Sequence, residues 1–234
     1  MNVTREKMNY DLVIIGAGPS GLAAAINFKN LCKKHGKNYS ICVVEKGSEV
    51  GAHILSGAIL QPTALNELIE NWQNDDSCPV KVKVKEESIS FLSEKKSINI
   101  PKLFIPSVMH NKGNYIISLG SFCKWLSQKA EQLGVEIYPG FAASEPIIDQ
   151  KVLKGIVTND LGVTKENQQG PNFQAGIEIY AKYTLFAEGC RGHLGKKLMK
   201  EFDLRKSSQH QTYGIGLKEL WEINPKKSNP GQVF

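Results

Sequence analysis

The sequence predicts an α/β fold: a strand–helix–strand core on a parallel sheet, with an antiparallel α+β subdomain inserted into it. Three observations predict it. A continuous apolar run from Tyr10 to Ile15 leads through a glycine-rich turn into a helix-like segment. A second apolar run, Ile41 to Val44, ends at the acid Glu45. Beyond Pro62 the pattern changes to short stretches of period two. With 234 residues and 41% apolar content, the chain is long and hydrophobic enough to bury a sizeable core.

Tyr10 to Ile15 is rich in β-branched residues and lacks alternation, as expected of a strand covered on both faces. Gly16-Ala17-Gly18-Pro19-Ser20-Gly21 supplies a turn, and Leu22 to Lys34 reads as a helix with Leu22, Ala25, Ile26 and Phe28 toward its buried side. Lys33, Lys34 and His35 suit the negative end of the helix dipole, and Gly36 can terminate it. Ile41 to Val44 completes a βαβ unit, whose crossover must be right-handed. Pro62 to Trp72 reads as a short helix, while Lys81 to Lys85 and Ser88 to Leu92 alternate like strands with one wet face. Asn114 to Leu119 is a further strand; Ser121 to Leu133 is an amphipathic helix closed by Gly134; Val135 to Tyr138 is again a strand. Val152 to Thr158 and Ile177 to Leu185 look like two arms of a meander, joined across a polar surface loop from Gly162 to Ala175. The apolar stretch to Ala187 then leads through Glu188-Gly189 into a helix ending near Lys200, and Tyr213 to Trp221 is strand-like. The expected division is 1–75 for the nucleotide-binding core, 76–180 for the insert and 181–234 for the return to the core and the start of a further, C-terminally incomplete segment.

Composition excludes several classes. The formal net charge of +6 is modest and forms no long single-sign run, so a nucleic-acid partner is not indicated. Five scattered cysteines without a Cys-x-x-Cys pair do not make a disulfide framework and fit a reducing compartment. The uncharged stretch from Leu12 to Phe28 mimics a secretory signal, but Gly16, Gly18, Pro19 and Gly21 break its middle.

The chemical signal is Gly16-x-Gly18-x-x-Gly21 in its strand–turn–helix context. Gly16 permits the tight turn, Gly18 lets a diphosphate approach the backbone and Gly21 lets the helix pack on the strand, with the phosphates at the positive helix end. Glu45 lies 24 residues past Gly21 at the end of the next strand, where an acid accepts hydrogen bonds from an adenosine ribose. This is a Rossmann-like fingerprint, and the acid favours FAD or NAD over NADP. The small-residue loop Gly51 to Gly57, with Ser56 and Gly57 at its end, either lines the same crevice or is a plain connector. Glu188 and Gly189, at the end of a buried strand, are either a second contact with the nucleotide or an ordinary turn. His53 has no partner at metal-ligand spacing and receives no proton-transfer role. Between Ile98 and Met109 two prolines forbid regular structure in a segment crowded with large apolar residues and flanked by Lys95, Lys96, Lys102 and Lys112. Such a loop packs on its own domain or dips into an anionic membrane interface.

Several segments together resemble the electron transfer flavoprotein-ubiquinone oxidoreductase family. They are residues 13–25, Val-Val-Glu-Lys-Gly at 43–47, Gly-Ala-His-Ile-Leu-Ser-Gly-Ala at 51–58, Met-His-Asn-Lys-Gly-Asn-Tyr-Ile at 109–116, Tyr-Thr-Leu-Phe-Ala-Glu-Gly at 183–189, Phe-Asp-Leu-Arg-Lys at 202–206 and residues 211–222. The resemblance implies a peripheral inner-membrane protein, on the bacterial cytoplasmic or mitochondrial matrix side, that passes electrons from reduced electron transfer flavoprotein to ubiquinone. It implies FAD on residues 12–26, including Gly16, Ala17, Gly18, Pro19, Ser20 and Gly21, with Glu45 at its ribose and the neighbouring Lys46 as a further cofactor-binding candidate. It places Leu103, Phe104, Ile105, Val108 and Met109 on the membrane and quinone side. Its [4Fe-4S] cluster finds no ligands here, because none of the five cysteines has the required spacing. The expectation is therefore an N-terminal fragment, inactive alone, with no catalytic side chain of its own. Two alternatives share these features: a flavin monooxygenase or prenyl reductase on the same scaffold, and a non-catalytic membrane-surface nucleotide-binding module.

Overall fold

The computed structural model describes residues 4–55, 57–166 and 168–234. The chain forms two compact units, one of residues 1–54 and 123–213, the other of residues 55–122 and 214–234.

The first unit is built on a six-stranded sheet. β1 (Lys7–Ile15) leads into α1 (Pro19–Lys34) and β2 (Ile41–Glu45). After α2 (Leu119–Gln132) come β3 (Glu136–Pro139), β4 (Ala143–Asp149), β5 (Val152–Thr158), the hairpin β6 (Leu161–Val163) and β7 (Gln169–Gln174), β8 (Glu178–Phe186) and α3 (His193–Glu201). The order across the sheet is β4-β5-β8-β1-β2-β3. β8, β1, β2 and β3 are mutually parallel, whereas β5 runs antiparallel to β8 and β4 to β5. Ile15 stands in register with both Phe186 and Val44, so the carboxyl ends of three parallel strands finish at one level. This is the Rossmann-like parallel sheet expected at residues 10–45.

Burial follows from the period of two. Val13 and Ile15 join Cys42, Val44, Ile156, Ile179 and Leu194 in one cluster, so Ile14 between them faces the other side, where a Cβ on Gly21 of α1 would meet its Cγ2. Gly36 at φ 61° follows the end of α1, and Gly134 at φ 79° follows α2, as expected of helix-terminating glycines. Tyr10 donates to Glu136 Oε2 at 2.7 Å and lies 2.9 Å from the Tyr138 hydroxyl, joining β1 to β3 across β2. Burial, with these hydrogen bonds, pushes the Tyr10 phenol well above its ordinary range.

In the second unit Tyr115–Ile117 is the centre of a three-stranded antiparallel sheet between Ala58–Leu60 and Val82–Lys83. Buried Trp72 meets Tyr115 edge-on at 5.4 Å between ring centroids and donates to Asn66 Oδ1. The helix expected at Pro62–Trp72 is Thr63–Leu68 followed by a short turn of 3₁₀ helix at Trp72–Asn74.

Three expectations meet a different structure. Residues 123–180, read as part of an antiparallel insert, lie in the first unit, because Glu136–Pro139 extends the parallel sheet at one edge while Ala143–Asp149 and Val152–Thr158 add antiparallel strands at the other. The polar loop at 162–175 is largely a β-hairpin. Tyr213 to Trp221 forms no strand: no neighbour pairs with it, and Ile215, Leu217 and Leu220 stand in solvent. An alternating pattern without a ladder partner has no hydrogen bonds to hold it extended.

Candidate functional site

The glycine turn sits at the carboxyl ends of the parallel strands. The Gly16 amide donates to Val44 O and the Ala187 amide to Ile15 O, each at 2.8 Å, so the strand ladders continue into the turn on both sides. Gly16 has φ 104°, and a Cβ there would stand 2.5 Å from Ala187 O. At Gly21 a Cβ would collide with Gly16 O and press on Ile14 and Ala187. Gly18 differs from both: its φ of −77° suits any residue, and nothing lies within 4 Å of where its Cβ would be. Gly16 and Gly21 are therefore glycines because the protein is close, and Gly18 borders open space. Pro19 begins α1 with no acid in its first turn, and Gly18 at the N-cap has no side chain to cap with. That leaves the positive helix end available to an anion. Pro19 and Ser20 are exposed; Ala17 is buried.

Glu45 turns back toward this loop. Its Oε2 accepts from the Ala17 amide at 2.9 Å and its Oε1 from the Gly47 amide at 2.8 Å. A Cβ on Gly47 would lie 3.1 Å from Oε1, so the small residue two places on leaves room for the carboxylate to fold back. Cys123 of α2 is buried nearby; burial, with the Glu45 charge behind it, pushes its thiol up to about 12. Lys46 is exposed.

Glu188 is committed elsewhere. Its carboxylate accepts from the Leu194 amide at 3.2 Å and the Gly195 amide at 2.7 Å, capping α3, with His193 Nδ1 3.5 Å away. Its part at the glycine turn is played by backbone, through Ala187 beside Gly16. Gly189 is exposed at φ 78°. The structure thus brings Gly16, Gly18, Gly21, Glu45 and the 187–188 backbone together, an arrangement that fits a dinucleotide diphosphate and its ribose.

Gly57 belongs to the second unit, where at φ 82° its carbonyl accepts from Lys218 Nζ at 2.8 Å; Ser56 lies outside the described residues. In the same unit, Pro101 and Pro106 each open a short 3₁₀ turn, Lys102–Phe104 and Ser107–Met109. Leu103 and Val108 are both 89% exposed and Phe104 73%, whereas Ile105 turns inward and is buried. The apolar exposure extends to Phe91, Leu92 and Ile98 on the adjacent hairpin of Ser90–Leu92 with Ser97–Asn99. Ile98 opens the apolar segment singled out in the sequence; Phe91 and Leu92 were not marked there, although consecutive apolar residues in a strand must place one on the wet face. Sequence reading also missed Gly47, marked by its spacing from Glu45. Among the described residues no group of three or more His, Cys, Asp or Glu is placed to hold a metal ion. Cys32, Cys42, Cys78 and Cys123 are buried and Cys190 is exposed. The residues here do not fit an iron–sulfur cluster.

A family described as NAD(P)-binding Rossmann-like domain matches residues 14–68. Electron transfer flavoprotein-ubiquinone oxidoreductase of Pseudomonas aeruginosa is 54% identical over 232 residues, 98% of this chain and 42% of that protein. The mitochondrial protein of the same name from Mus musculus is 48% identical over 235 residues, 100% of this chain and 38% of its own length. The chain therefore spans about two fifths of these relatives. Among solved structures, a geranylgeranyl bacteriochlorophyll reductase-like protein from Thermoplasma acidophilum superposes with TM-score 0.54 at 20% identity, over 81% of this chain and 42% of that one. CtdE, solved in complex with FAD, gives 0.50 at 18% identity, over 80% and 39%. These two likenesses show the fold alone.

Proposed function

We propose that this chain is the FAD-binding part of an electron transfer flavoprotein-ubiquinone oxidoreductase, taking electrons from reduced electron transfer flavoprotein and delivering them to ubiquinone at a membrane surface. The observation that carries the reading is the Glu45 carboxylate, folded onto the Ala17 amide beside open Gly18, in a chain about half identical to proteins of that name. FAD, when bound, supplies the chemistry of accepting electrons and passing them on.

The chain's own residues bind and orient. The α1 N-terminus meets the diphosphate with backbone N–H groups and a favourable dipole. Glu45 is already within hydrogen-bond reach of the loop that holds the phosphates, so it can exchange an amide partner for ribose hydroxyls without moving far. Glu188 holds the end of β8 to the start of α3, which fixes Ala187 against Gly16. None of these groups is asked to move a proton, and no side chain here is assigned as an acid or base.

Leu103, Phe104, Val108 and Met109, with Phe91, Leu92 and Ile98, form the lipid-facing surface in this reading, with exposed Lys95, Lys96, Lys102 and Lys112 close by in sequence for anionic headgroups. Ile105 anchors that loop from within. No helix among the described residues is long and apolar enough to cross a membrane. The test is to purify the chain, record its visible spectrum and identify any released cofactor. A yellow protein yielding FAD is expected; a colourless one that does not take up added FAD refutes the reading.

A further inference from the structure

We propose that Glu87 is the positioning residue of the apolar loop, its carboxylate clamping the loop exit so that Leu103, Phe104 and Val108 are held outward, ready to enter an anionic lipid surface. The inference rests on the membrane-facing reading of that loop and adds the device that shapes it.

Glu87 lies on the short strand Glu86–Glu87, paired in parallel with Gln232–Val233. Its side chain is only 13% exposed, although it is charged and close to the surface. Both oxygens are spent on the loop's far end: Oε2 accepts from the Asn111 amide at 2.5 Å, and Oε1 lies 2.9 Å from His110 Nδ1. The Asn111 amide, with His110 and then Lys102, holds this carboxyl below the usual range. The near end is tied to the same stretch of chain, since the Ile100 amide donates to Ile89 O at 2.8 Å. Residues 101–110 are therefore pinned at both ends to residues 87–89, and the two proline-led turns between them carry the exposed apolar tips. A segment ordered beforehand loses less conformational freedom when it inserts than a free one does.

The neighbouring Glu86 provides an internal control. It is exposed and reaches only Gln232, at 3.4 Å. Removing either acid removes one negative charge, which by bulk electrostatics strengthens binding to anionic lipid. The clamp gives the opposite sign for Glu87 alone.

The experiment measures partition of the 234-residue chain onto vesicles of phosphatidylcholine and phosphatidylglycerol, together with amide exchange across residues 100–111. Glu87→Gln should bind roughly 5- to 10-fold more weakly than the parent, and its Asn111 amide should exchange on the order of 10-fold faster. Glu86→Gln should bind at least as well as the parent. His110→Ala, which removes one of the two partners and leaves the acid, should fall between; it serves in place of Glu87→Gln should that variant not fold. Equal binding by Glu87→Gln and Glu86→Gln, or unchanged exchange at Asn111, overturns the clamp. A parent chain that does not bind these vesicles overturns the membrane reading beneath it, and the proposal with it.

Discussion

Gly18→Val should separate binding from folding, because a Cβ at Gly18 meets open space whereas one at Gly16 or Gly21 meets backbone. The backbone at Gly18 is extended, at φ −77° and ψ 178°, and no atom lies within 4 Å of the added Cβ. The substitution should leave the apo fold within about 1 kcal/mol of the parent, with slight stabilisation from a stiffer unfolded chain. In the proposed site the same Cβ would occupy the space through which a diphosphate reaches the α1 N-terminus. Losing one or two charge-assisted hydrogen bonds from backbone amides costs about 2–4 kcal/mol, which is roughly a 30- to 1000-fold rise in Kd for FAD. Gly21→Ala should behave inversely: its Cβ collides with Gly16 O and presses on Ile14 Cγ2 at 3.2 Å, so folding itself should lose about 1–3 kcal/mol. Thermal unfolding of the apo chain and flavin titration by fluorescence read the two effects separately. Undiminished FAD affinity in Gly18→Val refutes the assigned site.

Further predictions concern stability and reactivity. Glu188→Ala removes the acceptor for the Leu194 and Gly195 amides and should cost about 1–2 kcal/mol, measured by urea unfolding. Asp160 accepts from Arg5 and the Gly176 amide, which hold its pKa below the ordinary value. Its stabilisation is therefore fully present above roughly pH 4 and lost as the pH falls through the lower folded value. Asp160→Asn should be less stable than the parent at pH 7, and the gap should close on acidification in a pH series of unfolding midpoints. Of the five thiols, Cys190 is exposed and the others buried, with burial pushing those of Cys42 and Cys123 up to about 12. A thiol reagent at pH 8 should modify Cys190 rapidly and the rest only on unfolding, as read by peptide mass.

The βαβ unit was legible because everything that makes it is local. A run of β-branched apolar residues, a glycine turn, a helical stripe and a closing acid occur within residues 10–45, and each one restricts the next. The lysine-flanked apolar segment stood out in the sequence, with prolines at 101 and 106 breaking regular structure, but its residues read equally as packed on their own domain or exposed, and only the fold leaves Leu103, Phe104 and Val108 in solvent. Glu188 was ambiguous: a strand-end acid reads the same whether it faces a ligand or a helix start, and only the return of α3 supplies the amides that claim it. Glu87 carried no sequence signal at all, because its partners are 23 and 24 residues away and meet it through folding. The alternation at Tyr213–Trp221 misled, since period two specifies a strand only where a neighbour completes the ladder.

The sequence by itself determined where the glycine turn lies, which glycines make it and which acid stands at the end of the next strand. Those features depend on backbone sterics and on contacts within one supersecondary unit, which short spacing encodes. Tertiary structure alone decided that residues 123–180 complete the parallel-sheet unit and which way the acids at 87 and 188 point. The reason is physical: a carboxylate goes where unpaired amides are, and amides far apart in sequence are brought within its reach only when the chain has packed.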